Sequence, residues 1–145
     1  MVVPKHGYAK TLAAQPVGSG AELVSVEADL TRGLHNFSVV GLADKAVDEA
    51  RDRVSAAIRH SGYKSPKQQN KRIVISLSPA DLKKEGPFFD LGIALAYLLS
   101  AQEIKFNSEK KIFFGELGLD GTLRSIRGAL PLAEEAKRRG FEEIY

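Results

Sequence analysis

The chain has 145 residues, 43% of them apolar and 27% charged, which supports one folded domain with a substantial core and excludes intrinsic disorder. It has no cysteine, which excludes a disulfide framework, a cysteine-zinc site and thiol catalysis, and fits a reducing cytoplasm. The net charge of +3 is uneven: residues 53–80 hold Arg53, Arg59, Lys64, Lys67, Lys71 and Arg72 and no carboxylate, so this segment carries +6 and the remainder −3.

The first six residues have no apolar stretch of the signal-peptide kind. A strand is predicted over 8–14, with 16–20 as its turn. Residues 21–30 (AELVSVEADL) set Leu23, Val24, Val26 and Ala28 among Ser25, Glu27 and Asp29, the alternation of a half-buried strand. Residues 31–34 read as a turn and 36–41 (NFSVVG) as the returning strand. Asp44 is a candidate N-cap for a helix reaching about His60, with Ala46, Val47, Ala50, Val54, Ala57 and Ile58 as its apolar stripe and Gly62 as its left-handed stop.

Residues 61–70 read as a polar loop without structure of its own, and 71–78 (KRIVISLS) as a buried strand. Gly86-Pro87 marks the start of a buried helix, because proline at the first helical position gives up an N–H that would be unpaired anyway. Phe88, Leu91, Ala94, Leu95 and Leu98 follow at helical spacing. The apolar run around 91–99 is too short for a membrane span. Residues 111–115 are strand-like, and 119–123 (LDGTL) carry an Asp-Gly signal for a two-residue hairpin turn. A last helix spans 130–139, and 141–145 begin another strand, which points to a piece of a longer protein. This order predicts an α+β sandwich, a mainly antiparallel sheet with helices on one face.

Few residues invite chemistry. Asp81, Glu85 and Asp90 form an acidic cluster, but Lys83 and Lys84 lie among them and a capping role accounts for carboxylates at a helix entry. His6, His35 and His60 lack the spacing of a helical metal pair. Ser76 and Ser78 fall on the polar side of their strand, the ordinary place for serine. No Gly-x-x-x-x-Gly-Lys-Ser/Thr loop occurs, and Gly18-Ser-Gly20 is too short to replace one, so no ATP site is assigned to the chain. The strongest positive signal is basic: Arg59, Lys64, Lys67, Lys71 and Arg72 flank Gln68-Gln69-Asn70 and are the candidate nucleic-acid-binding residues. Arg124 and Arg127 join them only if the fold brings them near. Tyr63 alone offers no stacking platform for single strands.

Three segments carry a resemblance: 37–55 (FSVVGLADKAVDEARDRVS), 73–90 (IVISLSPADLKKEGPFFD) and 114–131 (FGELGLDGTLRSIRGALP). Together they resemble the N-terminal domain of the ComM/YifB family, relatives of the magnesium-chelatase ATPase subunit. The resemblance implies a ribosomal-protein-S5-domain-2-like fold shared with the Lon peptidase domain, forming one domain over 1–145 of a longer AAA+ protein. It further implies that ATP and Mg belong to a following AAA+ module, and that DNA and neighbouring subunits of a homo-hexamer are the partners, with no membrane. The turn Gly86-Pro87-Phe88 is similar to the Gly-Pro-Ser turn bearing the nucleophile of Lon-type serine–lysine peptidases. Phe88 stands at the serine and Leu130 at the lysine, so no catalytic residues, bound cofactor or metal are assigned to this chain. Both replacements are apolar, which predicts that the catalytic pocket has become core.

Overall fold

In the computed structural model, which describes residues 7–145, a long hairpin is the base on which everything else packs. Strands β1 (Tyr8–Val17) and β2 (Gly20–Arg32) pair antiparallel from Tyr8↔Asp29 to Val17↔Gly20. Alternation puts Ala9, Thr11 and Ala13 on the same face as Val24, Val26 and Ala28, all at most 2% exposed. Strand β3 (Asn36–Val40) does not return along β2. Strand β4 (Lys71–Ser78) lies between them, antiparallel to β2 and parallel to β3, giving the order β1-β2-β4-β3. The two helices between β3 and β4 supply the crossover that a parallel pair requires.

That crossover is α1 (Lys45–Asp48) and α2 (Ala50–His60), which break at Glu49. Asp44 caps α1 as expected, its Oδ1 accepting from Val47 N at 2.8 Å. Gly62 adopts a φ of 90°, and the bonds Gly62 N→Arg59 O and Tyr63 N→Ile58 O close α2. The predicted stripe holds, with Val47, Ala50, Val54, Ala57 and Ile58 buried. The following loop is more ordered than its composition suggests. Ser65 caps a single 3-10 turn (Pro66–Gln68) in a capping box, and both Ser65 and Pro66 are buried.

Helix α3 (Asp90–Ser100) begins at Asp90 rather than at Pro87. The backbone before it is taken by another element: Gly115 N donates to Phe88 O at 3.1 Å, and Leu91 N donates to Gly115 O at 3.2 Å. The helix is also buried almost all round, on Ile93, Ala94, Ala96, Tyr97, Leu98 and Leu99, whereas Leu91 and Leu95 of the predicted stripe are only half-buried. It lies against β1 and β2 on one side and α2 on another. The helix backbone lies close to the sheet at Gly92, where Thr11 Oγ1 donates to Gly92 O at 2.9 Å and a Cβ would just reach van der Waals contact with Thr11 and Val26. Burying each of Ile73, Ile75 and Leu77 beneath this layer contributes roughly 1.5–3 kcal/mol.

Not all helices share one face. Helix α4 (Ala129–Arg138) packs with Ala14, Ala21 and Leu23, whose side chains alternate with the buried Ala13 and Val24 and so point the other way. Helix α4 therefore covers the opposite face at the Ala14–Leu23 end. Short strands complete the chain: β5 (Lys111–Ile112) pairs parallel with β8 (Glu143–Ile144), and β6 (Glu116–Leu117) pairs antiparallel with β7 (Leu123–Arg124). The β6–β7 connection is a five-residue loop in which Asp120 accepts from the Thr122 backbone and hydroxyl, longer than the expected two-residue turn. The result is mixed α/β. Among the described residues no helix is long and apolar enough to cross a membrane.

One polar contact ties these layers together. Asp90, fully buried, accepts from Arg53 Nε at 2.7 Å and Nη2 at 3.0 Å, and from Leu117 N at 3.1 Å. Arg53 also donates to Ala46 O at 2.8 Å. The start of α3, α2 and β6 thus meet at one carboxylate, with α1 joined to it through Arg53. Burial raises the Asp90 pKa, opposed by the Arg53 bonds and the Leu117 N–H, and the guanidinium is raised in turn by its bonds to Asp90. Removing one partner strands the other in a dry site, so Arg53→Met is expected to lower unfolding free energy by about 3–5 kcal/mol in urea titrations. Asp90→Asn is expected to cost less, because Arg53 keeps partial access to water, and the double variant is expected to lose less than the sum of the two.

Candidate nucleic-acid interface

The turn that resembles a peptidase nucleophile loop is held by two side chains from distant segments, Gln15 of β1 and the α1 cap Asp44. Gln15 donates from Nε2 to Lys83 O at 2.7 Å and accepts from Glu85 N at 2.9 Å. Asp44 accepts from Gly86 N at 3.3 Å, while its own N–H donates to Lys84 O at 3.0 Å. Between these clamps Lys84 is 0% exposed, its ammonium donating to Pro79 O. Burial lowers the Lys84 pKa, with Asp81 opposing. Sequence reasoning passed over Lys84 as one of two adjacent lysines; only the pairing of its backbone with residues 42–44 turns it inward.

At the serine-equivalent position Phe88 is half-buried and packs on the smaller core cluster with Ala14, Phe114 and Leu132. Leu130 departs from expectation: it is 68% exposed. Helix α4 buries Leu132 and Ala136, four apart, while Leu130 falls on the face of Glu134 and Lys137. The expected burial of the two replacements is met in part at Phe88 and fails at Leu130. Ser76 and Ser78 lie half-exposed on the polar side of β4. The acidic cluster is dispersed: Asp81 is exposed, Glu85 pairs with Lys83 at 3.3 Å instead of capping a helix, and Asp90 is turned inward to Arg53. Among the described residues no three His, Asp or Glu side chains converge as metal ligands; His6 lies outside the described residues.

The basic segment divides by what its charges already touch. Arg53 is neutralised by Asp90. Lys67 pairs with Asp52 at 3.0 Å, lowering the Asp52 pKa, but both are exposed and such a pair exchanges readily with other partners. Arg59 and Lys64 are exposed around the end of α2, with Arg59 Nη2 3.4 Å from His60 Nε2. Lys71 and Arg72 open β4 at one end of the sheet. Among the described residues Arg59, Lys64, Lys71 and Arg72 make no ion pair. The β6–β7 loop reaches this region, since a Cβ on Gly121 would stand 2.6 Å from Ser61 Oγ. Arg127 does not: its neighbour Gly128 abuts Pro16, which pairs with Ala21, roughly 35 Å along β2 from the basic end.

Two substitutions and one pH series test this description. Leu130→Lys is expected to change unfolding free energy by less than about 0.5 kcal/mol, as at other exposed sites, whereas Phe88→Ala is expected to cost about 1–3 kcal/mol. Because the folded pKa of Lys84 is depressed, the unfolded chain binds more protons between that value and about 10.4. Stability is therefore expected to gain a rising component across that window, which Lys84→Met removes in urea midpoints measured against pH.

The chain matches the family model described as subunit ChlI of Mg-chelatase over residues 26–145. It is 42% identical over 129 residues to YifB of Escherichia coli and 43% identical over 129 residues to an uncharacterized protein of Mycobacterium tuberculosis, in each case over 88% of this chain. It is 40% identical over 126 residues, 84% of this chain, to the competence protein ComM of Haemophilus influenzae. The alignments cover 25%, 25% and 24% of those relatives, so the chain spans about a quarter of their length. The clamped turn, the Asp44 cap and the buried Arg53–Asp90 pair all lie inside the matched region, and the chain belongs to the ComM/YifB group of the Mg-chelatase ChlI family.

Proposed function

We propose that this chain is a non-catalytic accessory domain of a cytoplasmic Mg-chelatase-like AAA+ ATPase that processes DNA. In this reading it contacts nucleic acid through Arg59, Lys64, Lys71 and Arg72, with Lys67 released from Asp52, and helps arrange subunits of a homo-hexameric ring. The observation that carries the reading is the contrast between Arg53, consumed inside the fold, and four cations of the same segment that find no carboxylate among the described residues. Phosphate groups supply the missing anions. One relative is named a competence protein, which supports a role in competence for proteins of this group; transformation and migration of branched DNA intermediates are the DNA-processing steps this reading assigns. ATP and Mg belong to an AAA+ module and not to these residues, which lack a phosphate-binding glycine loop. Phe88 and Leu130 carry neither a nucleophile nor a base, so peptide hydrolysis has no support from this turn.

A second reading, a protein-interaction module without DNA contact, draws on Leu119, Leu123 and Leu130, which are 59%, 55% and 68% exposed. Fluorescence anisotropy with branched and duplex DNA at two salt concentrations separates the two. Binding at low salt that falls steeply with added salt, and that drops on Lys64→Glu together with Lys71→Glu, is expected for nucleic-acid contact. Absence of binding at low salt rejects it. The module reading instead expects assembly of the longer protein, followed by sedimentation, to collapse when these residues are deleted.

A further inference from the structure

Charged residues that face each other across neighbouring strands follow one rule in this protein, with one exception. Lys10 pairs with Glu27, Lys111 with Glu143 and Glu116 with Arg124, each an opposite-charge pair. Arg32 is paired with Lys71. Like charges directly opposite on a ladder destabilise it, so the fold tolerates repulsion here that it avoids elsewhere. A third cation, Arg72, is the next residue of β4 and sits between Thr31 and Asn36 of the flanking strands. None of the three makes an ion pair among the described residues. The nearest carboxylate along β2, Asp29, points to the face opposite Arg32 and Lys71, as strand alternation requires.

Two of the three, Arg32 and Lys71, border a recess. An open cleft of about 650 Å³ is lined by Arg32, Gly33, Leu34, Gln69, Asn70 and Lys71. Its two walls are the β2–β3 connection and the end of the loop before β4, tied together by Gly33 N donating to Asn70 O at 3.3 Å. Gln69 is anchored from behind by its Nε2–H bond to Tyr97 Oη at 3.1 Å, which fixes that wall on α3. The side-chain amide of Asn70 adds neutral donors beside the cations. A cation pair without a counter-ion, set in a cleft with amide donors, suits a group of concentrated negative charge with several acceptor oxygens.

We propose that this cleft is a phosphate site, that it seats the phosphodiester backbone of a nucleic acid, and that Arg32 is its principal ligand. This rests on the nucleic-acid reading above, but moves its centre from the α2 end to the sheet end, and adds a residue that lies outside the basic segment. The repulsion between Arg32 and Lys71 is relieved when an anion enters, so affinity is gained where folding stability was given up.

The test uses the whole chain and the variants Arg32→Gln, Lys71→Gln, Lys64→Gln and, as control on the remote helix α4, Lys137→Gln. Duplex DNA binding is expected to weaken about five-fold for Arg32→Gln and Lys71→Gln, with the salt slope falling by about one, and to stay unchanged for Lys137→Gln. The urea midpoint of Arg32→Gln is expected to hold or rise. In a parallel experiment, inorganic pyrophosphate is expected to shift the amide resonances of Gly33, Leu34 and Asn70 in the native chain and not in Arg32→Gln. DNA binding that Lys64→Gln weakens and Arg32→Gln leaves intact overturns the site while sparing the nucleic-acid reading. Pyrophosphate shifts without any DNA binding retain an anion site and reject nucleic acid as its occupant. Neither response overturns both.

Discussion

The structure depends on a single buried carboxylate meeting a single guanidinium. Asp90 opens α3 where it can be reached from α2 by two N–H groups of Arg53 and from β6 by the Leu117 N–H. A hydrophobic pair of equal volume would bury as much area without fixing how far α3 slides against α2. Bidentate geometry does fix it, because a guanidinium fork accepts only one arrangement of two oxygens. The net energy of such a pair is modest, since desolvation offsets most of the attraction. Its role is to set register: the turn before α3, Gly115 and the β6–β7 hairpin are all placed relative to Asp90.

The turn ahead of α3 is held by further contacts of its own. Gln15 and Asp44 hold residues 83–86 from two sides, and the buried Lys84 ties the turn back to Pro79. The clamp acts mostly on backbone atoms, so it is indifferent to which side chain occupies position 88. Phe88 can then turn to the smaller core under α4. Leu130, on the outward face of the same helix, has nothing to pack against in these residues and is left to solvent.

The charge asymmetry follows a similar division between what the fold uses and what it leaves over. Arg53 is drawn inward and Lys67 is partly engaged. The cations at the sheet end remain uncompensated because β2 and β4 terminate there in register, Arg32 against Lys71. Elsewhere in the fold, on this sheet and on the β5–β8 pair, ladder geometry brings lysine against glutamate, so the sheet end is where local electrostatics departs from the rest of the fold.

Periodicity in the sequence determined the α2 stripe, the Asp44 cap, the Gly62 stop and the full extent of β4, because each depends on neighbours within a few residues. The motifs at 37–55, 73–90 and 114–131 also carried the family. Other features were decided by contacts between distant segments. The insertion of β4 between β2 and β3 replaced the expected hairpin, since strand order is set by packing of the crossover helices and not by adjacency in the chain. Helix α3 began late because Gly115 claimed the backbone ahead of it. Helix α4 crossed to the other face because Ala14 and Leu23 offered an apolar patch there. Arg32 carries no local mark of function, lying between a strand and a glycine turn; its meaning comes from facing Lys71, a residue thirty-nine positions later in the sequence, and only the register of the folded sheet creates that pairing.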